Sequence, residues 1–123
     1  TKNLGELFWE WLIDGCRNNT VGINKPSGYV HLVAGFVFIR SPHIFHHFLA
    51  EQGLQPELKG ALQKAFEKLG VHRNDRGSMF TCQLYQDSTK QGRYIKLNGY
   101  LIVIKKIYGD FSSGEDNANI KLQ

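Results

Sequence analysis

No stretch of this chain comes near the roughly 20 consecutive apolar residues needed to cross a bilayer. Its amino terminus also lacks the layout of a signal peptide, so no membrane partner is expected. Cysteine is scarce. Cys16 and Cys82 lie far apart and match no zinc or redox spacing; they read as reduced core residues of a cytoplasmic protein, with a single disulfide as the alternative. Catalytic signatures are missing as well: there is no GxSxG, P-loop, HExxH or GxGxxG. Neither enzyme activity nor a cofactor is expected of these residues. Tyr29, Tyr85, Tyr94, Tyr100 and Tyr108 raise the thought of a nucleophile for DNA nicking. That chemistry needs a metal-binding histidine cluster beside the tyrosine, and most of the five fall in alternating, strand-like runs, so they read as structural.

What is present fits one globular domain. The chain has 123 residues, 41% of them hydrophobic and 12% aromatic, enough to bury a core and too apolar for wholesale disorder. It starts at Thr1 rather than methionine, which reads as a domain cut from a longer protein. The net charge of +4 is unevenly spread. Residues 1–52 are balanced, residues 53–108 carry ten basic side chains against four acidic, and the remainder is net negative. A localised excess of that kind points to a nucleic-acid surface.

The central stretch, residues 56–69, places Leu58, Ala61, Leu62, Ala65, Phe66 and Leu69 on one helical face. Lys59, Gln63, Lys64 and Lys68 fall on the other. An earlier helix is expected from residue 3 or 4 to 17, opened by a capping box of Asn3 and Glu6. Its stripe of Leu4, Leu7, Phe8, Trp11 and Leu12 is widened by Trp9 and Ile13, which suggests burial on two sides. The second side could be the carboxy-terminal tail, another domain or a partner.

Residues 29–33 and 36–40 alternate around Ala34-Gly35, a two-residue hairpin turn that pairs Val33 with Phe36. Val30, Leu32, Val37 and Ile39 then form the core face, leaving Tyr29, His31, Phe38 and Arg40 on the other. Ser41-Pro42 is expected to open another helix, with the hydroxyl as N-cap, and Gly53 to close it. Residues 79–86 and 93–104 read as a hairpin, with a bulge at Gly99. Residues 109–123 turn polar and are expected to be a loose tail.

The resulting order, helix, hairpin, helix, short turn, helix, hairpin, predicts an α+β winged helix-turn-helix domain over residues 1–108. Its recognition surface would be the basic set Lys59, Gln63, Lys64, Lys68, Arg73, Arg76, Lys90, Arg93 and Lys96. Lysines on an exposed helix are also what any solvated surface shows, and no arginine stands on that helix to read guanine. Trp9, Ile13, Tyr29 and Phe38 form the candidate partner patch. His43, His46 and His47 fall on one side of their helix, but no completing ligand is evident and no metal site is expected.

With Asn24, the run VHLVAGFVFI, Ser41-Pro42 and Ile44-Phe45 laid out, the chain resembles the carboxy-terminal domain of the conjugal DNA nickase/helicase TraI family. These are large bacterial relaxases of integrating conjugative elements and plasmids, which are mobile genetic elements. The likeness runs from FWEWL (residues 8–12) to about residue 104. It implies a winged-helix domain of a conjugative relaxase, with the nicking chemistry in an amino-terminal domain outside this chain. It carries no catalytic residue onto these positions. The expected role is non-catalytic DNA binding through the third helix and wing. The alternative is a docking module for other relaxosome proteins, a coupling protein or the parent's other domains. A free-standing transcriptional regulator would need a dimerisation helix, which is missing.

Overall fold

Asn3 opens the first helix, α1 (Leu4–Arg17), in a computed structural model that describes residues 1–123. Its side chain accepts from the Glu6 amide at 2.9 Å while the Glu6 carboxylate accepts from the Asn3 amide, the expected capping box. Phe8, Leu12 and Cys16 turn fully inward. The next pair, β1 (Val30–Val33) and β2 (Phe36–Arg40), turns at Ala34 and Gly35, which hold φ of 51° and 85°. Positive φ at both turn residues matches the twist of the strands, and Val33 pairs with Phe36 as expected.

The second helix, α2 (His43–Glu51), begins differently from the expectation. Pro42 takes the N-cap position, no side chain caps the helix, and Ser41 is buried instead. Its far end behaves as expected: Gly53 is left-handed, and the Leu54 and Gly53 amides close back on Leu49 and Ala50. One 3-10 turn (Pro56–Leu58) leads into α3 (Lys59–Leu69), stopped by left-handed Gly70. Two longer strands follow, β3 (Phe80–Tyr85) and β4 (Tyr94–Val103), then a short helix α4 (Ile104–Tyr108) and a last strand β5 (Ile120–Leu122).

The strands form one antiparallel sheet in the order β1-β2-β4-β3-β5. This overturns the winged helix. A wing is a hairpin that projects from a helical core, whereas β4 pairs with β2 along five residues and β3 carries β5 on its other side. The late hairpin is therefore the middle of the sheet. No bulge occurs at Gly99, which pairs in register with both Arg40 and Phe80. A Cβ there would stand 2.0 Å from the Ile39 carbonyl oxygen, so the strands approach too closely for any other residue.

Alternation splits the sheet into two faces. On one, Val30, Leu32, Val37, Ile39, Tyr100 and Ile102 meet α1, α2 and α3 in a core of 17 buried residues. On the other, Val33, Phe38, Cys82, Leu97, Leu101 and Ile120 form a core of 6 made of strand residues alone. At roughly 1.5–3 kcal/mol per large buried apolar side chain, the helical side supplies most of the stability. Strand residues can bury one another without a helix above them only where the sheet curls. Accordingly the edge strands β1 and β5 come close, giving a half-barrel with the second core inside.

Residues 109–123 are not a loose tail. Asp116 accepts from the Ala34 amide, the Asn117 amide donates to the Leu32 carbonyl, and β5 completes the sheet. The widened arc of α1 is partly used by the fold itself, since Trp9 and Ile13 pack half-buried against the first core. Arg17 donates to the Ile107 carbonyl at 2.8 Å and lies over the Phe111 ring, so α4 and the start of the tail pack against the last turn of that helix.

Candidate nucleic-acid interface

Where α3 meets the sheet, Gln63 donates to the Tyr100 hydroxyl and that hydroxyl donates to Glu67, both at 2.8 Å. Burial raises the Tyr100 phenol above its ordinary range and the Glu67 carboxylate adds to that, with Gln63 opposing; it stays a donor. Gln63 is thus a strut rather than a free reader of bases. Lys64 and Lys68 are the next residues along, turned about 100° away from the strut, and both point to solvent. Lys59 is half-buried at the start of the helix.

Beyond Tyr100 the helices no longer cover the outer face of the sheet. Asn98, Lys96 and Tyr94 continue that face at two-residue steps along β4. Register then sets Thr81, Gln83 and Tyr85 of β3 beside them, and Lys121 of β5 beside Gln83. The three rungs read Asn98–Thr81, Lys96–Gln83–Lys121 and Tyr94–Tyr85. The first is tied by a 2.9 Å bond from the Thr81 hydroxyl to the Asn98 carbonyl oxygen. None of the seven side chains is a carboxylate.

The rest of the expected basic set divides. Arg73 is committed: it lies over the Phe36 and Phe80 rings and pairs with Asp75 at 2.7 Å, capping one end of the half-barrel. That bond holds the Asp75 carboxyl below the usual carboxylate range. Arg73, Arg76 and Lys96 border one surface depression of about 630 Å³ at the start of β3. Lys90 is exposed in the loop after β3. Arg93 opens onto a different pocket of about 510 Å³ at the mouth of the half-barrel, over Leu84 and Ile95. The structure therefore joins Lys96 and Arg76, leaves Lys64 and Lys68 exposed on α3 one position past the residues that bond to Tyr100, and sets Lys90 and Arg93 at the hairpin end.

Sequence reading missed Lys121, Thr81, Gln83 and Asn98. The alternation of Thr81, Gln83 and Tyr85 was visible, but Lys121 joins them only through the pairing of β5. The expected partner patch does not assemble. Phe38 is 0% exposed inside the half-barrel, while Trp9, Ile13 and Tyr29 are half-buried against the first core. Tyr29 packs on the rings of His43 and His47, and His47 pairs with Glu51, which also accepts from the Trp11 indole. No group of three or more His, Cys, Asp or Glu is placed to hold a metal ion. Cys16 and Cys82 lie in separate cores, unpaired, and burial pushes each thiol up to about 12. No helix is long and apolar enough to cross a membrane.

The family model described as "Putative conjugal transfer nickase/helicase TraI C-term" matches residues 3–122. The chain belongs to that family. Among solved structures, the crystal structure of the C-terminal domain of the Salmonella enterica protein STY4665 is similar to it throughout. The TM-score is 0.87 at 40% identity, over 98% of this chain and 96% of that one. No curated protein matches. This TraI C-terminal domain thus has the α+β half-barrel described above and belongs to the C-terminal part of a conjugal transfer nickase/helicase family.

Proposed function

We propose that this TraI C-terminal domain is a non-catalytic accessory module that binds DNA for a conjugative nickase/helicase. The observation that carries the reading is the uncovered sheet face, which bears Lys96 and Lys121 and no carboxylate, with Arg76 at its border and Lys64 and Lys68 exposed on α3. Phosphate binding needs cations spread over a surface, and that is what these residues supply. Lys90 and Arg93 extend the positive charge toward the hairpin end. The domain's own chemistry offers no competitor: its cysteines are buried, no group of three or more His, Cys, Asp or Glu is placed to hold a metal, and His43, His47 and His72 pack on aromatic rings.

The test is a titration of duplex DNA at two salt concentrations. Binding should weaken steeply as salt rises, by a log–log slope of about 0.9 per phosphate neutralised. Lys64→Glu with Lys68→Glu should weaken binding by about fivefold or more and flatten that slope by about 1 for each phosphate that no longer meets a lysine. Affinity indifferent to salt, or no binding at low salt to DNA in either duplex or single-stranded form, ends the reading. A protein-docking role is favoured by one observation, the apolar mouth of the half-barrel, where Ile95 is 60% exposed beside Leu84 and Tyr94. It would take over if DNA fails and Ile95→Lys abolishes association with another part of the parent protein.

A further inference from the structure

Two features of the outer sheet face go beyond plain solvation, and the second is not explained by duplex binding. The first is its sign. The protein carries 15 basic and 11 acidic side chains, and an ordinary solvated surface mixes the two, yet the three outer rungs of β4, β3 and β5 contain Lys96 and Lys121 and nothing negative. The second is the last rung. Tyr94 and Tyr85 stand side by side with ring centroids 5.2 Å apart at 51°, and Tyr94 is 43% exposed. The Tyr85 hydroxyl donates to Gln83 at 3.0 Å, which lays that ring along the sheet toward the lysine rung.

An exposed ring, Tyr94, beside the half-buried Tyr85 and next to lysines on an open sheet, suits unpaired bases. In a duplex the base faces are already stacked on one another and only their edges are open in the grooves. In a single strand the faces are free, and aromatic side chains on a positively charged surface take them up. We propose that the outer face of β4, β3 and β5 is a platform for single-stranded DNA. Lys96 and Lys121 hold phosphates, Tyr94 and Tyr85 stack with bases, and Thr81, Gln83 and Asn98 bond to whatever polar edges lie between. Tyr100, held by α3 through Gln63 and Glu67, lies roughly 13 Å from Lys96 along β4, and Lys64 and Lys68 are exposed on that helix. This inference rests on the DNA-binding reading and specifies the form of DNA.

Fluorescence anisotropy with a labelled twelve-nucleotide oligothymidylate and, separately, a labelled duplex tests it, each at low and moderate salt. The expected result is binding of the oligothymidylate that weakens with salt, weakened further by Lys96→Glu with Lys121→Glu. Tyr94→Leu should lose about tenfold in affinity for the oligothymidylate, within the range for one missing base stack. Tyr94→Phe should keep most of it, and neither change should alter duplex binding by more than about twofold. Thermal melts of each variant show that the fold is kept. Duplex binding without oligothymidylate binding, or oligothymidylate affinity unchanged in Tyr94→Leu, overturns the platform and leaves the DNA-binding role standing. Binding of neither probe at low salt overturns both.

Discussion

His31 sits inside the half-barrel with Nε2 3.2 Å from the Gly28 carbonyl oxygen and Nδ1 3.0 Å from the Asn117 amide nitrogen. A carbonyl can only accept and an amide nitrogen can only donate, so the ring is neutral with its proton on Nε2. Burial lowers its pKa below the ordinary 6.5; the Gly28 carbonyl opposes this and Arg40 adds to it. The folded protein therefore binds fewer protons than the unfolded chain just below pH 6.5. Stability from this residue is complete above that value and is lost as pH falls through the lowered folded-state pKa. Buried His72 is lowered in the same direction and adds to the slope. The urea midpoint should thus fall between pH 7.5 and 5, and His31→Gln, less stable at pH 7.5, should show a shallower fall. An unchanged slope in the variant would remove His31 from the account. Gly99 is the other residue whose identity is forced. Gly99→Ala pushes a methyl into the Ile39 carbonyl and against the Phe38 ring, and should cost about 3 kcal/mol or more in a denaturant titration.

Among the elements, β5 does more than its three residues suggest. Ile120 is 1% exposed and closes the inner core over Cys82. Ile120→Ala should cost about 2–5 kcal/mol, and it should raise the reactivity of the Cys82 thiol, which burial otherwise holds near 12, toward a thiol reagent at pH 8. A stable variant with Cys82 still inert would show that the core closes without β5. This strand was not legible in advance. Ile120 and Leu122 alternate, but two apolar residues in a polar tail specify no partner. What could be read were signals made within a few residues: the Asn3–Glu6 cap, the Ala34-Gly35 turn with its register, the helical stripes, and the glycines that stop α2 and α3. The wing failed for the opposite reason. Alternation assigns faces to a strand and not neighbours, so a central hairpin and a projecting one look alike. One clue was present: Tyr100, Leu101 and Ile102 are apolar in succession, the mark of a strand buried on both faces, which a solvent-flanked wing would not show. The same holds for His31 and Phe38, placed on an outer face by their alternation and found inside the curl.

At the scale of the whole molecule, curling divides the labour of the sheet. Apolar side chains of β1, β2 and the second half of β4 are used by the helices, those of the inner face by one another, and the outer face of β4, β3 and β5 is left to polar and basic groups. The candidate site was legible in part. The charge excess in residues 53–108 was visible in the chain, and Lys64, Lys68, Arg76 and Lys96 were among the residues it singled out. Its arrangement on a sheet rather than on a helix and wing depended on pairings between distant segments. Those pairings also set an order in time. Asp116 reaches Ala34 across 82 positions of sequence, and Ile120 must arrive before Phe38, Leu97 and Leu101 are sheltered. During synthesis the helical side has all its parts once Tyr108 has emerged from the ribosome, whereas the concave side stays greasy and open for about a dozen residues more. A nascent chain paused in that interval would be the form of this protein most prone to stick to its neighbours.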